Sequence, residues 1–186
     1  MVMNDRIPLN IKQTELNNDL FKVYHQNVRS LRNKTQELLS HLHSNLLHVI
    51  CLSEHHLIIQ ELCYANLECY TIGAQFCRPI YQRGGVIIYV HNGIQFTNID
   101  LSDYCIEKSI EICVVKINIK SFTMCIITLY RAPSGNFTHF LQRLDNVLKF
   151  LHTQSTRLVI CGDLNINYLV DNALKRQLDN LLLCII

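Results

Sequence analysis

The apolar positions near the start of this chain fall into short runs that predict a strand, a helix and a second strand. Residues 21–28 have the character of a strand, and Ser30 is expected to cap the helix that follows. A second apolar run, at residues 48–53, predicts a buried strand that ends at Glu54. Elements in this order favour a parallel pair of strands. The apolar face of the expected helix consists of Leu31, Leu38, Leu39, Leu42 and Leu46.

The middle of the chain predicts a series of antiparallel strands. Its apolar runs are rich in Ile, Val, Phe and Tyr, and polar connections such as Asn92-Gly93 and Lys120-Ser121 separate them. Short connections of this kind favour hairpins, so we expect consecutive runs to pair with each other. The expected strands cover residues 70–76, 85–91, 94–99, 110–119 and 122–130.

The last third of the chain returns to helices around one more strand. Apolar positions between Phe137 and Leu151 repeat at helical spacing, a strand begins at Leu158, and a final helix begins near Asn172. Helices at both ends and a meander of strands between them predict two sheets packed face to face, with helices outside. The expected fold class is therefore α/β (α+β).

Composition indicates one globular domain. The 186 residues are 49% hydrophobic and 17% charged, which excludes a disordered chain. No apolar run approaches the roughly 20 residues of a membrane span, and the polar N-terminus lacks the apolar segment of a signal peptide. We therefore expect an intracellular protein, cytoplasmic or nuclear, with nine reduced cysteines and no membrane partner. Residues 1–20 are expected to be a loose leader before a domain over residues 21–186.

The charge distribution is more informative than the net charge of +2. Residues 22–34 and 116–143 each contain four basic side chains and no acidic one, and residues 78–83 also lack acids. Such clusters are typical either of solvated surface or of a groove that faces phosphates. The charge pattern alone leaves both interpretations open.

Four strand ends carry polar side chains of the kinds that catalytic sites use. The first strand ends at Asn27, the second at Glu54, the 122–130 strand at Tyr130, and the last in Asp163 and Asn165. Turn chemistry explains any one of these endings, because Gly and Asn commonly follow strands. Four such endings are harder to explain independently. Parallel strands would bring them together in one crevice.

Five motifs occur in order along the chain. They are Tyr24-His25-Gln26-Asn27-Val28-Arg29-Ser30-Leu31, Leu52-Ser53-Glu54, Arg83-Gly84-Gly85-Val86, Leu129-Tyr130-Arg131-Ala132-Pro133 and Gly162-Asp163-Leu164-Asn165. Gly-Asp-x-Asn alone is common, but the ordered set resembles the endonuclease/exonuclease/phosphatase superfamily. In particular it resembles the apurinic-endonuclease-like domain of non-LTR (LINE-type) retrotransposons. The resemblance extends from about residue 21 to the C-terminus.

The resemblance implies a four-layer sandwich of two mixed β-sheets flanked by helices, and Mg²⁺-dependent hydrolysis of a phosphodiester. It assigns the metal, with Mn²⁺ as an alternative, to Glu54 and Asn27, since a hard cation prefers oxygen ligands. It implies that Asp163 orients and deprotonates the attacking water and that Asn165 holds this water or a phosphate oxygen. DNA is the implied partner, and full-length relatives are expected to carry a downstream reverse transcriptase. The oligomeric state is not indicated.

The same resemblance implies supporting roles for four more residues. Tyr130 would donate its hydroxyl to the phosphate. Arg131 and Arg29 would contact phosphate or DNA. Glu111 would support the site from behind, with plain solvent exposure as the alternative.

The family pattern continues past the last residue of this sequence. Family members carry further strands with another Asp and a Ser-Asp-His signature, whereas no His follows His152 and no Asp follows Asp179 here. We therefore expect an incomplete domain that lacks its C-terminal strands, with weak or absent hydrolysis. Removing one phosphate-polarising group commonly costs about 2.7–4 kcal/mol of transition-state stabilisation.

Other interpretations remain open at this point. A non-catalytic nucleic-acid-binding remnant would need the basic clusters but not Asp163. Another phosphoesterase of the superfamily, such as an inositol-phosphate phosphatase or a sphingomyelinase, would use the same core. A zinc site at His55 and His56 is disfavoured because adjacent residues rarely point the same way. A Rossmann domain is disfavoured because Arg83-Gly84-Gly85 precedes a strand and lacks the dinucleotide fingerprint.

Overall fold

The computed structural model describes residues 20–42, 47–119, 122–155 and 157–183, which form two four-stranded β-sheets with helices on their outer faces. The described residues also contain two short 3₁₀ helices, Ile59–Tyr64 and Ser102–Tyr104. The strands are β1 (Val23–Asn27), β2 (Val49–Ser53), β3 (Tyr70–Phe76), β4 (Val86–His91), β5 (Phe96–Ile99), β6 (Glu111–Ile119), β7 (Phe122–Tyr130) and β8 (Arg157–Asp163), and the helices are α1 (Thr35–Leu42), α2 (Phe137–His152) and α3 (Ala173–Leu183).

Both sheets are mixed, as the family resemblance implies. The first sheet has the order β1-β2-β4-β3, and the second has the order β5-β6-β7-β8. In the first, β1 and β2 are parallel, with Asn27 opposite Ser53, and β4 runs antiparallel to β2 and β3. In the second, β7 and β8 are parallel, with Tyr130 opposite Asp163, and the other neighbours are antiparallel. Parallel pairing therefore brings two strand ends together in each sheet.

The helix between β7 and β8 forms where the sequence predicts it. Asn136 caps α2, because its side-chain oxygen accepts a hydrogen bond from the backbone N–H of His139 at 2.9 Å. The helix buries one apolar stripe against the second sheet and thereby makes the crossover that parallel strands require. The buried stripe consists of Phe140, Leu144, Val147, Leu148 and Leu151.

Two local predictions were wrong. Asn92-Gly93 does not close a hairpin, because it joins β4 in one sheet to β5 in the other. Turn chemistry specifies a reversal of the chain, not which strand becomes the partner. Ser30 does not cap α1, which begins only at Thr35; Ser30 has a φ of 97° and forms part of the preceding loop.

Some sequence-based expectations fall on residues outside the described ranges. They concern the leader up to residue 19, Leu46 and the connection Lys120-Ser121. The division between the leader and the domain stays a prediction.

Three apolar clusters give the sandwich its layers. One lies between the two sheets and contains Cys51, Ile88, Val115 and Ile126. A second lies between the second sheet and α2 and α3, and the third lies between the first sheet and α1. None of the helices in the described part of the chain has the length and apolar character to cross a bilayer.

His48 makes the stability of the first sheet depend on pH. It is buried just before β2, and its Nδ1 accepts a hydrogen bond from the backbone N–H of Lys22 at 3.0 Å. Burial, and then the neighbouring charges of His91 and Lys22, lower the pKa of His48 from its ordinary value of 6.5. The unfolded chain therefore takes up a proton at a higher pH than the folded protein does. The contribution of neutral His48 to the stability is therefore present above its ordinary pKa of 6.5 and is lost as the pH falls below it.

We expect the free energy of unfolding to decrease between about pH 7.5 and pH 5. Urea unfolding at both pH values measures this decrease. Other histidines with lowered pKa values, such as His25 and His91, contribute in the same direction. His48→Asn places an amide oxygen where Nδ1 now accepts from the Lys22 N–H but cannot be protonated, so its pH dependence should be smaller than that of the wild type. An equal pH dependence in both proteins would contradict the role of His48.

Candidate active site

The packing of the two sheets brings the four polar strand ends into one crevice. Asn27, at the end of β1, donates from Nδ2 to Glu54 Oε1 at 2.9 Å and to Asp163 Oδ2 at 2.7 Å. Glu54 follows β2 in the same sheet, whereas Asp163 ends β8 in the other sheet. One amide nitrogen therefore connects carboxylates that are separated by more than a hundred positions in sequence.

The loop that carries Glu54 has an unusual but well-supported backbone. Glu54 has a φ of 55° in the left-handed region, which non-glycine residues rarely occupy. Its carbonyl accepts from Ser30 N–H at 2.8 Å, and the next carbonyl, of His55, accepts from Leu31 N–H at 2.9 Å. The N–H of His56 donates to Gly84 O at 2.9 Å. Strain held in place by surrounding bonds is common at functional sites.

Three side chains surround the Glu54 carboxylate with donors. Asn27 donates to it, the Tyr130 hydroxyl lies within hydrogen-bonding reach, and His56 Nε2 lies 3.3 Å from Oε2. Burial opposes ionisation of Glu54, but these bonds outweigh it and lower the pKa of the carboxyl. Glu54 is therefore an anion at neutral pH, the form in which a carboxylate binds a metal ion.

The Gly-Asp-x-Asn segment ends β8 and forms the tight turn that follows it. A side chain at Gly162 would collide with the carbonyl oxygen of Leu129 on β7, so the position before the acid must be glycine. Asp163 Oδ1 accepts from the N–H of Asn165 at 3.0 Å. Asn165 itself has a φ of 51° and donates from Nδ2 to Arg131 O at 2.8 Å. The turn thus orients both side chains.

Arg131 has a structural task that the sequence does not predict. Its side chain is buried, and it donates to the carbonyls of Leu164 at 2.9 Å, Gly135 at 3.0 Å and Asn165 at 3.1 Å. These bonds fasten the turn after β8 to the loop after β7. The predicted contact of Arg131 with phosphate stays a prediction.

Arg29 and Glu111 differ in their surroundings. Arg29 is exposed beside the crevice, and its backbone N–H donates to Asn27 Oδ1 at 3.2 Å. Its contact with DNA stays a prediction. Glu111 is completely buried, so the alternative of plain solvent exposure is wrong. Its carboxylate accepts from Arg78 Nε at 2.7 Å and from Gly85 N–H at 2.6 Å.

Arg78 and His56 are the residues near the crevice that sequence reasoning missed. Arg78 is visible in the sequence only as the first residue of a stretch without acids, and nothing there indicates that it is buried against Glu111. His56 appears only in the disfavoured zinc site. In the structure His56 lies against Glu54, while its neighbour His55 bonds Phe76 O and Leu57 N–H through its two ring nitrogens, each at 3.0 Å.

The donor set suits a hard divalent cation. Across the described ranges no three His, Cys, Asp or Glu side chains are grouped as a metal cluster, so a transition-metal cage is not formed there. Glu54 and Asp163 instead offer two carboxylates to one amide nitrogen, both half-buried at the crevice. Mg²⁺ commonly binds through one or two carboxylates and keeps several waters. The residues therefore fit a magnesium site.

A cleft of about 530 Å³ opens beside these side chains. Polar groups of Asn27, Asp163 and Asn165 line one part of it. Apolar side chains line the remainder, including Leu129, Ile160, Leu164 and Leu178. A concave site with few convergent polar groups is the usual form of a ligand site.

Comparison with known proteins identifies the fold. The structure resembles the endonuclease domain of TRAS1, a telomere-specific non-LTR retrotransposon, with 16% identity and a TM-score of 0.68 over 89% of this chain and 71% of that one. An AP endonuclease from Leishmania major matches with 14% identity and a TM-score of 0.65, over 87% of this chain and 65% of that one. A 3′ phosphatase from Neisseria, bound to a product DNA hairpin, matches with 16% identity and a TM-score of 0.60, over 88% of this chain and 70% of that one.

These neighbours have the two-sheet sandwich in common with this chain, which spans about two thirds of their length. No curated protein sequence matches this chain. The family model for the Endonuclease/Exonuclease/phosphatase family matches residues 23–178, which is most of the chain. The match begins with β1 and ends within α3, so it contains all four strand ends of the crevice. The protein therefore belongs to the Endonuclease/Exonuclease/phosphatase family.

Proposed function

We propose that this protein hydrolyses phosphodiester bonds of DNA at the crevice, with Mg²⁺ as the metal and Mn²⁺ as an alternative. The observation that carries the proposal is the Asn27 amide, which bonds Glu54 of one sheet and Asp163 of the other at 2.9 and 2.7 Å. Two half-buried carboxylates this close repel each other, and a divalent cation at the crevice would offset that repulsion.

Glu54 would hold the metal through its carboxylate and Asn27 through its Oδ1, which now accepts from Arg29 N–H, and the bound ion would supply positive charge to the phosphoryl oxygens. Asp163 would accept a proton from the attacking water, while Asn165 would hold that water or a phosphate oxygen through its neutral amide. The water oxygen forms one P–O bond as the ester bond to the leaving sugar oxygen breaks. The departing alkoxide then takes up a proton from solvent.

Tyr130 would donate a hydrogen bond to the phosphate. Burial and the neighbouring Glu54 carboxylate raise the pKa of its hydroxyl, with Arg78 opposing them, so the group stays protonated at neutral pH. A protonated phenol near the reaction centre is a donor for the developing negative charge.

Surface chemistry around the crevice supports DNA as the substrate. Arg29 and Arg83 are exposed there, and Lys108 Nζ lies 3.3 Å above the ring of the half-exposed Tyr81. Cationic and aromatic groups together favour nucleic acid, which offers phosphates and stacking surfaces. The Neisseria neighbour was solved with a product DNA hairpin, which is consistent with this substrate class. A downstream reverse transcriptase stays a prediction from the sequence resemblance.

The substrate class is tested with three substrates under the same conditions: a DNA duplex, an inositol polyphosphate and sphingomyelin vesicles. We expect cleavage of an end-labelled DNA duplex in Mg²⁺, and no phosphate release from an inositol polyphosphate and no headgroup release from sphingomyelin vesicles. Hydrolysis of either alternative without DNA cleavage would overturn the DNA assignment. DNA binding without any cleavage would instead support a non-catalytic binding protein.

A further inference from the structure

Arg78 is a buried cation beside the crevice. It follows β3, and its side chain is only 7% exposed. Arg78 Nε donates to Glu111 Oε1 at 2.7 Å, and Nη2 lies 2.5 Å from the same oxygen. Burying two charges costs solvation energy that their attraction often fails to recover, so a buried pair is weak evidence for stability by itself. The pair therefore calls for another explanation.

Glu111 connects the two sheets behind the crevice. It begins β6 of the second sheet and accepts from the N–H of Gly85, just before β4 of the first sheet, at 2.6 Å. Gly85 has a φ of 85°, and a side chain there would collide with the ring of His55. The loop with Gly85 is thus packed directly on the loop that carries Glu54.

The guanidinium of Arg78 also faces Tyr130. Its Cζ lies 5.7 Å from the centroid of the Tyr130 ring, within the range of a cation–π contact. Arg78 Nη2 makes the charge contact with Glu111 but no hydrogen bond of good geometry among the described residues. The guanidinium is therefore not in the best geometry for an ion pair with Glu111. Its position allows contact with the Glu111 carboxylate and with the Tyr130 ring at the same time.

Tyr130 is the point where this pair meets the crevice. Its backbone pairs with Glu111 across β6 and β7, and its hydroxyl reaches Glu54.

We propose that Arg78, held by Glu111, is a positioning residue for Tyr130: its guanidinium fixes the ring, and with it the place from which the hydroxyl can donate to the phosphate. This inference rests on the proposed function of the crevice. The competing explanation is that the pair only stabilises the contact between the sheets. The two explanations differ in whether the effect of Arg78 depends on the Tyr130 hydroxyl.

The test removes the charges of Arg78 and Glu111 together and measures whether the resulting loss of kcat requires the Tyr130 hydroxyl. In Arg78→Met/Glu111→Gln no buried charge is left unpaired, and the Gln amide oxygen can still accept from Gly85 N–H. We expect kcat for cleavage of a DNA duplex in Mg²⁺ to fall about tenfold, with KM changed less than about twofold. When the same two substitutions are made in the Tyr130→Phe variant, kcat should stay at the value of Tyr130→Phe alone. Arg78→Lys, which keeps the charge, should recover part of the loss.

An equal loss in the Tyr130→Phe background would overturn the inference, because a purely structural effect does not depend on the hydroxyl. An unchanged kcat in the otherwise wild-type protein would overturn it as well. The matched control is Arg157→Met, since Arg157 also lies over an aromatic ring, with Cζ 3.7 Å from the Phe122 centroid, at the opposite end of β8. It should leave kcat unchanged.

A second readout does not need activity. The protein is labelled with 3-fluorotyrosine, and the ¹⁹F resonance of position 130 is assigned by its loss in Tyr130→Phe. We expect this resonance to shift in Arg78→Met/Glu111→Gln and to stay in place in Arg157→Met. An unmoved resonance would contradict the positioning role. Absence of cleavage by the wild type would count against the proposed function alone, and the ¹⁹F shift would still test whether Arg78 holds the Tyr130 ring.

Discussion

Asp163→Asn is expected to lower the rate of DNA cleavage by about 10²–10⁴-fold, because general acid–base catalysis commonly contributes that much. Asn is close in size to Asp and keeps an oxygen that can accept from the N–H of Asn165, now 3.0 Å from Asp163 Oδ1. It cannot accept a proton from water at neutral pH. The loss should therefore appear in kcat more than in KM. Initial rates over a range of duplex concentrations measure both.

Asp145→Asn is the matched control for this substitution. Asp145 lies on α2 and pairs with Lys149 at 2.7 Å on the surface. The same chemical change there should leave the cleavage rate unchanged. If Asp163→Asn retained the wild-type kcat, Asp163 would not be the general base and the assignment of the crevice would be wrong.

Glu111→Leu is expected to destabilise the folded protein by about 3–5 kcal/mol, the usual cost of leaving one partner of a buried ion pair without the other. Glu111 is completely buried and receives hydrogen bonds from Arg78, from Gly85 N–H and from Lys108 N–H at 2.8 Å. Leu replaces the carboxylate with a group that accepts none of these bonds. Urea unfolding of the wild type and the variant at neutral pH measures the difference.

The corresponding control is Asp145→Leu, which breaks an exposed ion pair between positions four apart on α2. Such pairs contribute only about 0.3–0.5 kcal/mol, so the two substitutions should differ several-fold in their effect. If Glu111→Leu lowered the free energy of unfolding as little as Asp145→Leu does, Arg78 would have found water or another partner. The two sheets would then not depend on this carboxylate.

The strands were predictable because their side-chain patterns are local. The runs at 70–76 and 122–130 match β3 and β7, since β-branched and aromatic residues favour strands wherever the chain places them. The partner of each strand is set by packing over long distances. The sequence therefore indicated a turn at Asn92-Gly93 but not the passage of the chain from one sheet to the other.

The crevice was predictable from the sequence for a different reason. Each of four apolar runs ends in a polar residue: Asn27, Glu54, Tyr130 or Asp163. The order of the motifs that contain them resembles that of a known family and therefore predicted a common site. Their mutual contacts required the structure, because Asn27 and Asp163 belong to different sheets. Arg78 was missed since its partner Glu111 is 33 positions away and no local pattern marks an arginine that is buried.

The most direct test of the central claim is nicking of supercoiled plasmid by the protein of residues 1–186 in Mg²⁺ and in EDTA. We predict conversion to the open-circular form that requires Mg²⁺ and is lost in Asp163→Asn. A folded protein that leaves the plasmid supercoiled in Mg²⁺, or nicks it equally in EDTA, would contradict the account.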